Sequence, residues 1–256
     1  MRSSPARPPL KARLAAGERL LGGLLRLGNE ELVEMVAVSG FDFVLLDAEH
    51  GPADVGELRR HLVLAQVHSV PVLVRVGGHE PALVLRVLDA GAEGVVAPHI
   101  DTPEQAAALV ASAHYPPSGL RGFATYGRAG RFGLVDPAEH ARAAADQTLV
   151  FGMIESPAGV TAADAIARTP GLDGIMVGTA DLRASSTVDD PDPADALASV
   201  HRTLAATGCL RMDIVLDRGQ AQASFAAGAQ LVVYNLTATV MAHLTDLSAA
   251  ERDVSA

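Results

Sequence analysis

The chain has no tryptophan, one cysteine and one lysine among its 256 residues. Cys209 alone can form neither an internal disulfide nor a thiolate metal site, and this usage predicts a reducing, cytoplasmic setting. Lys11 is the single lysine, and it lies in a Pro- and Arg-rich N-terminal segment. Any imine mechanism would have to use that one residue, so pyridoxal and lysine-dependent aldol chemistry are nearly excluded.

Long apolar runs and an excess of basic charge are also missing. No stretch of about 18 uncharged apolar residues occurs, so we expect no membrane span. The first 17 residues are basic but carry no apolar run of signal-peptide length. The formal net charge of −10 argues against a nucleic-acid or anionic-membrane surface. The sequence therefore predicts a small-molecule partner.

Eight short runs rich in Val, Leu, Ile and Phe alternate with segments of helical spacing, which is typical of a (β/α)8 barrel. A doubly wound open sheet is the alternative, but segment 21–25 (LGGLL) lacks the GxGxxG spacing of a dinucleotide turn. We therefore predict a flexible arm over residues 1–17 and one α/β barrel domain over residues 18–256. The predicted strands are 20–26, 41–47, 71–76, 94–99, 149–155, 174–178, 212–216 and 230–235. The predicted helices are 30–39, 54–68, 80–90, 103–113, 137–145, 157–168, 192–207, 218–227 and 237–249.

Ionisable side chains follow several predicted strands, at the end where barrel enzymes carry their chemistry. A purely structural barrel would show turn residues and solvated charges of no fixed type at these positions. The ring of ionisable groups therefore indicates an enzyme. Its members are Asp47, Glu49, His50, Arg75, His99, Glu155 and Asp181.

Glu155 and Asp181 are the natural metal pair of this ring. They end consecutive strands, which lie about 5 Å apart in a parallel sheet, so both carboxylates can reach one cation. Two oxygen ligands leave positions for water and a chelating substrate, which suits Mg²⁺ or Mn²⁺. The alternative is that both carboxylates cap the helices that follow them.

His50 and Arg75 are the candidates for proton transfer and anion binding. His50 follows a strand end, and Asp47 lies three residues before it, so a carboxylate can orient the ring of a general base. A surface histidine is the alternative. Arg75 lies in an apolar strand, where a guanidinium needs an anionic partner. That partner is either a substrate carboxylate or enolate, or an internal salt bridge to Asp47 or Asp89.

The order and spacing of these motifs resemble the metal-dependent pyruvate aldolases of the HpcH/HpaI type, from about residue 22 to residue 244. The resemblance implies a (β/α)8 barrel that binds a divalent ion, with Mg²⁺ favoured over Mn²⁺ or Co²⁺. It also implies a 2-keto acid substrate, an aldehyde or acyl-CoA co-substrate, and a homo-oligomer (trimer or hexamer) that exchanges its C-terminal helix. The segments that carry the resemblance are GFDFVLLDAEHGP (40–52), PVLVRV (71–76), LDAGAEGVVAPHI (88–100), YPPSGLRGFATYGRAGRFG (115–133), MIESPAGV (153–160) and DGIMVGTADL (173–182).

The resemblance also implies a role for each matching residue. Glu155 and Asp181 match the metal ligands, and His50 matches the catalytic base with Asp47 close behind it. Arg75 matches the arginine that steadies the enolate. Two further positions complete the expected site: Asp89 matches the aspartate that supports the basicity of the histidine, and Ala180 lies beside Asp181 among the substrate-binding residues.

Two positions depart from the family pattern. Met153 stands where members acting on pyruvate usually carry glutamine, and Thr179 replaces proline in the GPADL motif. Without the side-chain amide of that glutamine, a contact to the keto acid or to a metal-bound water is lost. Two alternatives to a pyruvate aldolase therefore stay open. One is a citrate synthase-like condensation of acetyl-CoA with oxaloacetate, as in siderophore assembly, and the other is a barrel subunit that has lost catalysis.

Overall fold

Eight parallel strands close into a barrel in chain order, from β1 to β8 and back to β1. The computed structural model describes residues 7–26, 28–51, 54–78 and 80–253, with only the backbone for residues 250–253. The barrel predicted from the sequence is confirmed, and the open sheet is excluded. The strands are β1 (Leu20–Leu25), β2 (Phe43–Asp47), β3 (Val72–Arg75), β4 (Gly94–Ala97), β5 (Leu149–Ile154), β6 (Gly174–Val177), β7 (Leu210–Val215) and β8 (Leu231–Asn235).

Helices follow the strands and cover the outside of the barrel. Asn29, Asp54 and Thr102 accept backbone N–H groups at the starts of three helices, as helix-capping side chains do. The helices are α1 (Leu10–Ala15), α2 (Glu30–Val38), α3 (Val55–Val67), α4 (Pro81–Asp89), α5 (Pro103–Ala113), α6 (Pro137–Gln147), α7 (Pro157–Thr161), α8 (Ala163–Ala167), α9 (Thr179–Ser185), α10 (Pro193–Thr207), α11 (Arg218–Ala226) and α12 (Leu236–Asp253).

Two apolar layers hold the barrel together. The interior cluster includes Phe43, Phe151 and Met176, all fully buried. A second cluster, which includes Val44, Val74 and Val95, packs between the strands and the surrounding helices. Because side chains alternate along a strand, one face of each strand fills the barrel and the other meets a helix. This explains the continuous apolar strands of the sequence.

The predicted flexible arm is wrong in its second half. Helix α1 buries Leu10 and Leu14 in the interior cluster, next to Leu20 at the start of β1. The Leu10 N–H donates to Glu93 Oε2 at 3.1 Å, and Lys11 Nζ lies 2.7 Å from Asp173 Oδ1. The apolar pair of this short helix therefore closes the amino end of the barrel. Residues 1–6 of the predicted arm lie outside the described part of the chain.

The structure adds one element that the sequence interpretation omits near the predicted metal ligands. Helix α9 begins directly after β6 and is seven residues long, too short for a helical period to be recognised. It places Asp181 in its first turn. No helix within the described ranges is long and apolar enough to cross a membrane.

Candidate active site

A cavity of about 500 Å³ opens at the carboxyl ends of the strands. Its wall is formed by residues at or after the ends of β1, β3, β5, β6 and β8, together with residues of β7 and of helices α10 and α11. The predicted site residues that line it are Arg75, Met153, Glu155, Ala180 and Asp181. The structure therefore brings the predicted metal pair and the predicted anion-binding arginine to one cavity.

Glu155 follows β5 directly and is 3% exposed. Its Oε2 accepts the backbone N–H of His99 at 3.0 Å. A Cβ atom added at Gly178 would lie 2.2 Å from Glu155 Oε1, so only glycine leaves room for this carboxylate. Burial raises the pKa of Glu155, and the charges of Asp181 and Glu49 add to this against the hydrogen bond from His99. A cation beside this group would reverse that effect and favour its ionised form.

Asp181 supplies a second carboxylate on the same cavity wall, and its side chain is exposed. The capping alternative is not realised, because Ser156 rather than Glu155 caps α7 and no side chain caps α9. Within the described ranges, no group of three or more His, Cys, Asp and Glu residues converges as a metal site. Glu155 and Asp181 both line the cavity and offer carboxylate oxygens, the ligand type that Mg²⁺ and similar divalent ions take.

Asp47, at the end of β2, accepts hydrogen bonds from two arginines that line the cavity. The β2–β3 register pairs Asp47 with Arg75, and Arg75 Nε donates to Asp47 Oδ1 at 2.9 Å while Arg75 Nη2 donates to Oδ2. Arg26 Nε donates to the same Oδ2 at 2.9 Å. Burial raises the pKa of Asp47, but the hydrogen bond and charge of Arg75 outweigh it and lower the pKa overall. The internal salt bridge considered for Arg75 therefore exists, on a side chain that also lines the cavity.

His50 lies on the loop after β2, with its side chain 52% exposed. Its backbone N–H donates to Asp47 Oδ1 at 3.2 Å, whereas its ring Nε2 lies 3.9 Å from Glu49 Oε2. The expectation that Asp47 orients the imidazole ring of His50 is corrected. Both Asp47 oxygens accept hydrogen bonds from Arg75, Arg26 or backbone N–H groups instead. Among the described residues, Glu49 is the one carboxylate within 4 Å of the imidazole nitrogens.

Glu49 and His99 are the site residues whose roles the sequence interpretation missed. Glu49 Oε2 lies 3.2 Å from Arg75 Nη1, and Glu49 Oε1 lies 3.9 Å from His99 Nε2. His99 Nδ1 in turn lies 3.4 Å from Glu155 Oε2. The backbone of His99 has a φ of 55°, a left-handed conformation that aims its N–H at Glu155. The sequence indicated that both residues follow strands, but not that they bridge His50 to the predicted metal ligand.

Asp89 is not brought to this site within the chain. It ends α4, and its Oδ1 accepts a hydrogen bond from Arg121 Nη2 at 2.6 Å. The end of α4 leads into β4, so Asp89 lies at the amino end of the strands rather than at the end that carries the cavity. The expected support of His50 by Asp89 is therefore corrected for a single copy of the chain.

Comparisons with known proteins agree with this fold. A hydroxypyruvate/pyruvate aldolase of Sagittula stellata is 32% identical over 239 residues, covering 90% of this chain and 92% of that protein. A 5-keto-4-deoxy-D-glucarate aldolase of Salmonella paratyphi A is 40% identical over 175 residues, 68% of each chain. The crystal structure of an HpcH/HpaI aldolase/citrate lyase family protein from Burkholderia cenocepacia J2315 superposes with a TM-score of 0.86 at 33% identity, covering 95% of this chain and 98% of that one. Residues 24–241 match the sequence profile described as HpcH/HpaI aldolase/citrate lyase, and this chain belongs to that family.

Proposed function

We propose that the chain is a class II aldolase that forms or cleaves a 2-keto hydroxy acid through the enolate of pyruvate or a related 2-keto acid. The observation that carries the proposal is that Glu155, Asp181 and Arg75 line one cavity. The 32% identical relative is named for pyruvate and hydroxypyruvate, which supports a small 2-keto acid as the substrate. Lys11 pairs with Asp173 at the far end of the barrel, so the imine route to the same enolate has no lysine here.

The metal is the first part of the mechanism. A divalent ion held by Glu155 and Asp181 would supply a Lewis acid for the keto acid, and oxygen ligands favour Mg²⁺, with Mn²⁺ or Co²⁺ as substitutes. Glu155 is positioned for this by the His99 N–H on one side and the absent Cβ of Gly178 on the other. Ala180 precedes Asp181 on the cavity wall, and its small side chain would leave space for the substrate there.

Arg75 and His50 carry the charge and the proton in this proposal. Asp47 holds the Arg75 guanidinium through two nitrogens, which fixes its plane toward the cavity where enolate charge develops. His50 removes or returns the proton at the carbon next to the keto group, with Glu49 as its neighbouring carboxylate. Asp47 is therefore a positioning residue rather than a proton carrier.

Met153 is the feature that most affects the choice of keto acid. It is fully buried in the barrel interior, and it also lines the cavity. A thioether offers no strong hydrogen bond to a keto acid, whereas an amide at this position could donate one. A condensation of acetyl-CoA with oxaloacetate is the second candidate that this substitution favours. A non-catalytic barrel is the third, and the assembled cavity argues against it.

Helix α12 and the single cysteine support proposals about the assembly and the location of the protein. Helix α12 exposes a row of apolar side chains, which supports a homo-oligomer, trimer or hexamer, in which the last helix is exchanged. A reducing, cytoplasmic location is consistent with the one thiol, Cys209, whose pKa burial raises to about 12 so that it stays a thiol. The exposed α12 side chains are Val240, Met241, Leu244 and Leu247.

The test is proton NMR of pyruvate in D₂O with the purified protein, first with Mg²⁺ or Mn²⁺ and then with EDTA. We expect a metal-dependent loss of the methyl signal that Glu155→Ala abolishes. His50→Ala should slow the exchange by about 10²- to 10⁴-fold, the usual contribution of a positioned acid–base group. His243→Ala is the matched control, because His243 lies on α12 and does not line the cavity. Absence of exchange from a folded, metal-binding protein would refute the pyruvate enolate and favour acetyl-CoA plus oxaloacetate.

A further inference from the structure

A second cavity, the amino-end cavity, has a volume of about 620 Å³ and lies at the other end of the barrel from the candidate active site. Glu93 and Thr148 line it and directly precede β4 and β5, so it opens at the amino ends of these strands. One face of α6 and the loop before that helix complete much of the wall. None of the predicted catalytic or metal-binding residues lines it, so the mechanism proposed above does not account for it.

Three arginines, Arg121, Arg128 and Arg131, bring positive charge to the amino-end cavity. The Arg121 side chain is 2% exposed, and its Nη2 donates to Asp89 Oδ1 at 2.6 Å. Arg128 Nη2 donates to Gln66 Oε1, which is a neutral amide oxygen. The Arg131 side chain is exposed and makes no hydrogen bond or ion pair with the described residues. Arg128 and Arg131 therefore have no carboxylate within 4 Å in the described part of the chain.

The other titratable groups on the wall do not balance this positive charge. Glu93 is the one carboxylate that lines the cavity among the described residues; it accepts a backbone N–H at 3.1 Å, and burial raises its pKa. His140 Nε2 lies 3.0 Å from the hydroxyl oxygen of Tyr115. Burial and the charge of Arg121 lower the pKa of His140 against the charge of Asp89, which favours the neutral ring. The cavity therefore has an excess of positive charge in a chain whose formal net charge is −10.

The backbone holds Arg128 and Arg131 in place without a ligand. The Ala129 N–H donates to the Asp89 carbonyl at 3.1 Å, which ties this loop to the end of α4. The Arg131 N–H donates to the Arg128 carbonyl at 2.9 Å, and Arg131 has a φ of 50°, in the left-handed region. The Arg128 side chain runs over Gly91, where an added Cβ would lie 3.9 Å from Arg128 Cδ. Because both arginines leave one short, hydrogen-bonded turn, an anion that binds them pays little for ordering the backbone.

We propose that Arg128 and Arg131 bind the phosphate group of a small, hydroxyl-rich metabolite of the sugar phosphate class in the amino-end cavity. Two guanidinium groups match the charge of a phosphate monoester, and each can donate two parallel N–H groups to its oxygens. This inference does not depend on the proposed aldolase function.

The size and chemistry of the wall support an organic phosphate. The volume of about 620 Å³ falls in the range of small-molecule sites, about 300 to 1,000 Å³, and leaves room beside a phosphate. The amides of Gln66 and Gln147 and the hydroxyl of Thr148 line the cavity and can bond to hydroxyl groups. No Phe, Tyr or Trp of the described residues lines it, so the wall offers a nucleobase no such ring to stack on.

The test is isothermal titration calorimetry of the purified protein at low salt with three probes: glucose 6-phosphate, glucose and inorganic phosphate. EDTA is present throughout, so that no divalent ion at the candidate active site binds the phosphate. We expect glucose 6-phosphate to bind more tightly than inorganic phosphate, and glucose to give no measurable binding. The double variant Arg128→Gln/Arg131→Gln should raise the dissociation constant of glucose 6-phosphate by about 10- to 100-fold, the range of a lost charged hydrogen bond.

The matched control removes the same charge elsewhere on the surface. Arg142 lies on α6 and Arg168 follows α8; both are exposed, and neither lines the amino-end cavity. The double variant Arg142→Gln/Arg168→Gln should therefore keep the wild-type dissociation constant. Arg131→Gln alone guards against a folding defect, because its exposed side chain has no partner to lose among the described residues, and it should weaken binding about tenfold.

Four results would overturn the proposal. One is the absence of glucose 6-phosphate binding to the wild-type protein, and another is an equal change in both double variants, which would reflect the charge of the whole surface. Inorganic phosphate that binds as tightly as glucose 6-phosphate would reduce the cavity to an ion site. Light scattering supplies the fourth: a lower molar mass of Arg128→Gln/Arg131→Gln would show that these arginines hold a second copy of the chain.

Discussion

Gly178→Ala tests the predicted metal site with a single methyl group. The added Cβ would lie 2.2 Å from Glu155 Oε1, 2.7 Å from its Cγ and 2.8 Å from its Cδ. Ordinary contact begins near 3.4 Å, so the carboxylate has to move by about 1 Å, whereas metal–ligand distances tolerate only about 0.2 Å. The φ of Gly178 is −83°, which alanine adopts without strain, and the three atoms nearest to the added Cβ all belong to Glu155.

We expect Gly178→Ala to weaken metal affinity by about 10- to 100-fold, as loss of ligand support typically does. The assay is titration of the protein with Mn²⁺, with free Mn²⁺ followed by electron paramagnetic resonance. Circular dichroism should show an intact fold, with a stability loss of about 1 to 3 kcal/mol for the crowded contact. Gly78→Ala is the control, because Gly78 follows β3 and, apart from its chain neighbours, no atom of the described residues lies within 4 Å of its added Cβ. Unchanged Mn²⁺ affinity in Gly178→Ala would refute the assignment of Glu155 as a ligand held against Gly178.

Three further changes test the charged and apolar parts of the site. In the metal-free protein, Glu155→Gln should raise the free energy of unfolding near neutral pH, because burial raises the pKa of Glu155 and the ionised carboxylate is destabilising there. Urea titration should show that this gain vanishes as the pH falls through the raised pKa toward 4.5. A difference that does not change with pH would contradict the explanation. Asp47→Asn should lower the free energy of unfolding by about 3 to 5 kcal/mol, because it removes the buried negative charge that binds Arg75 and Arg26. Because the pKa of Asp47 is lowered from 3.8, this contribution should be present above pH 3.8 and lost as acid titration passes the lower folded value; a difference that persists below it would contradict the ion pair. Met153→Gln should speed pyruvate proton exchange by about 2- to 10-fold if the amide bonds the keto acid, and NMR exchange at the wild-type rate would show that Met153 does not limit the reaction.

The sequence predicted the barrel because its signals are local and repeated. Most strands are short apolar runs, and Gly40, Gly91 and Gly208 follow helix ends with the positive φ that other residues rarely adopt. The helix starts at Pro103 and Pro137 are confirmed, with the preceding Thr102 and Asp136 as caps. Local patterns of this kind need no partner from elsewhere in the chain.

Helices α1 and α9 are not predicted from the sequence, and the reason is their length. Both are shorter than two full turns, so neither shows a repeated apolar face. Leu10 and Leu14 gain their place only because the amino end of the barrel offers an apolar surface. That surface exists only in the folded barrel, and a loose arm was the natural expectation.

The sequence by itself determined which ionisable residues stand at the strand ends, because strand position and residue type are read together. It thereby identified Glu155, Asp181 and Arg75 as residues of one site. Only the tertiary structure decided which charges meet, since pairing depends on strand register and side-chain direction across the barrel. The register placed Asp47 on Arg75 rather than on the ring of His50.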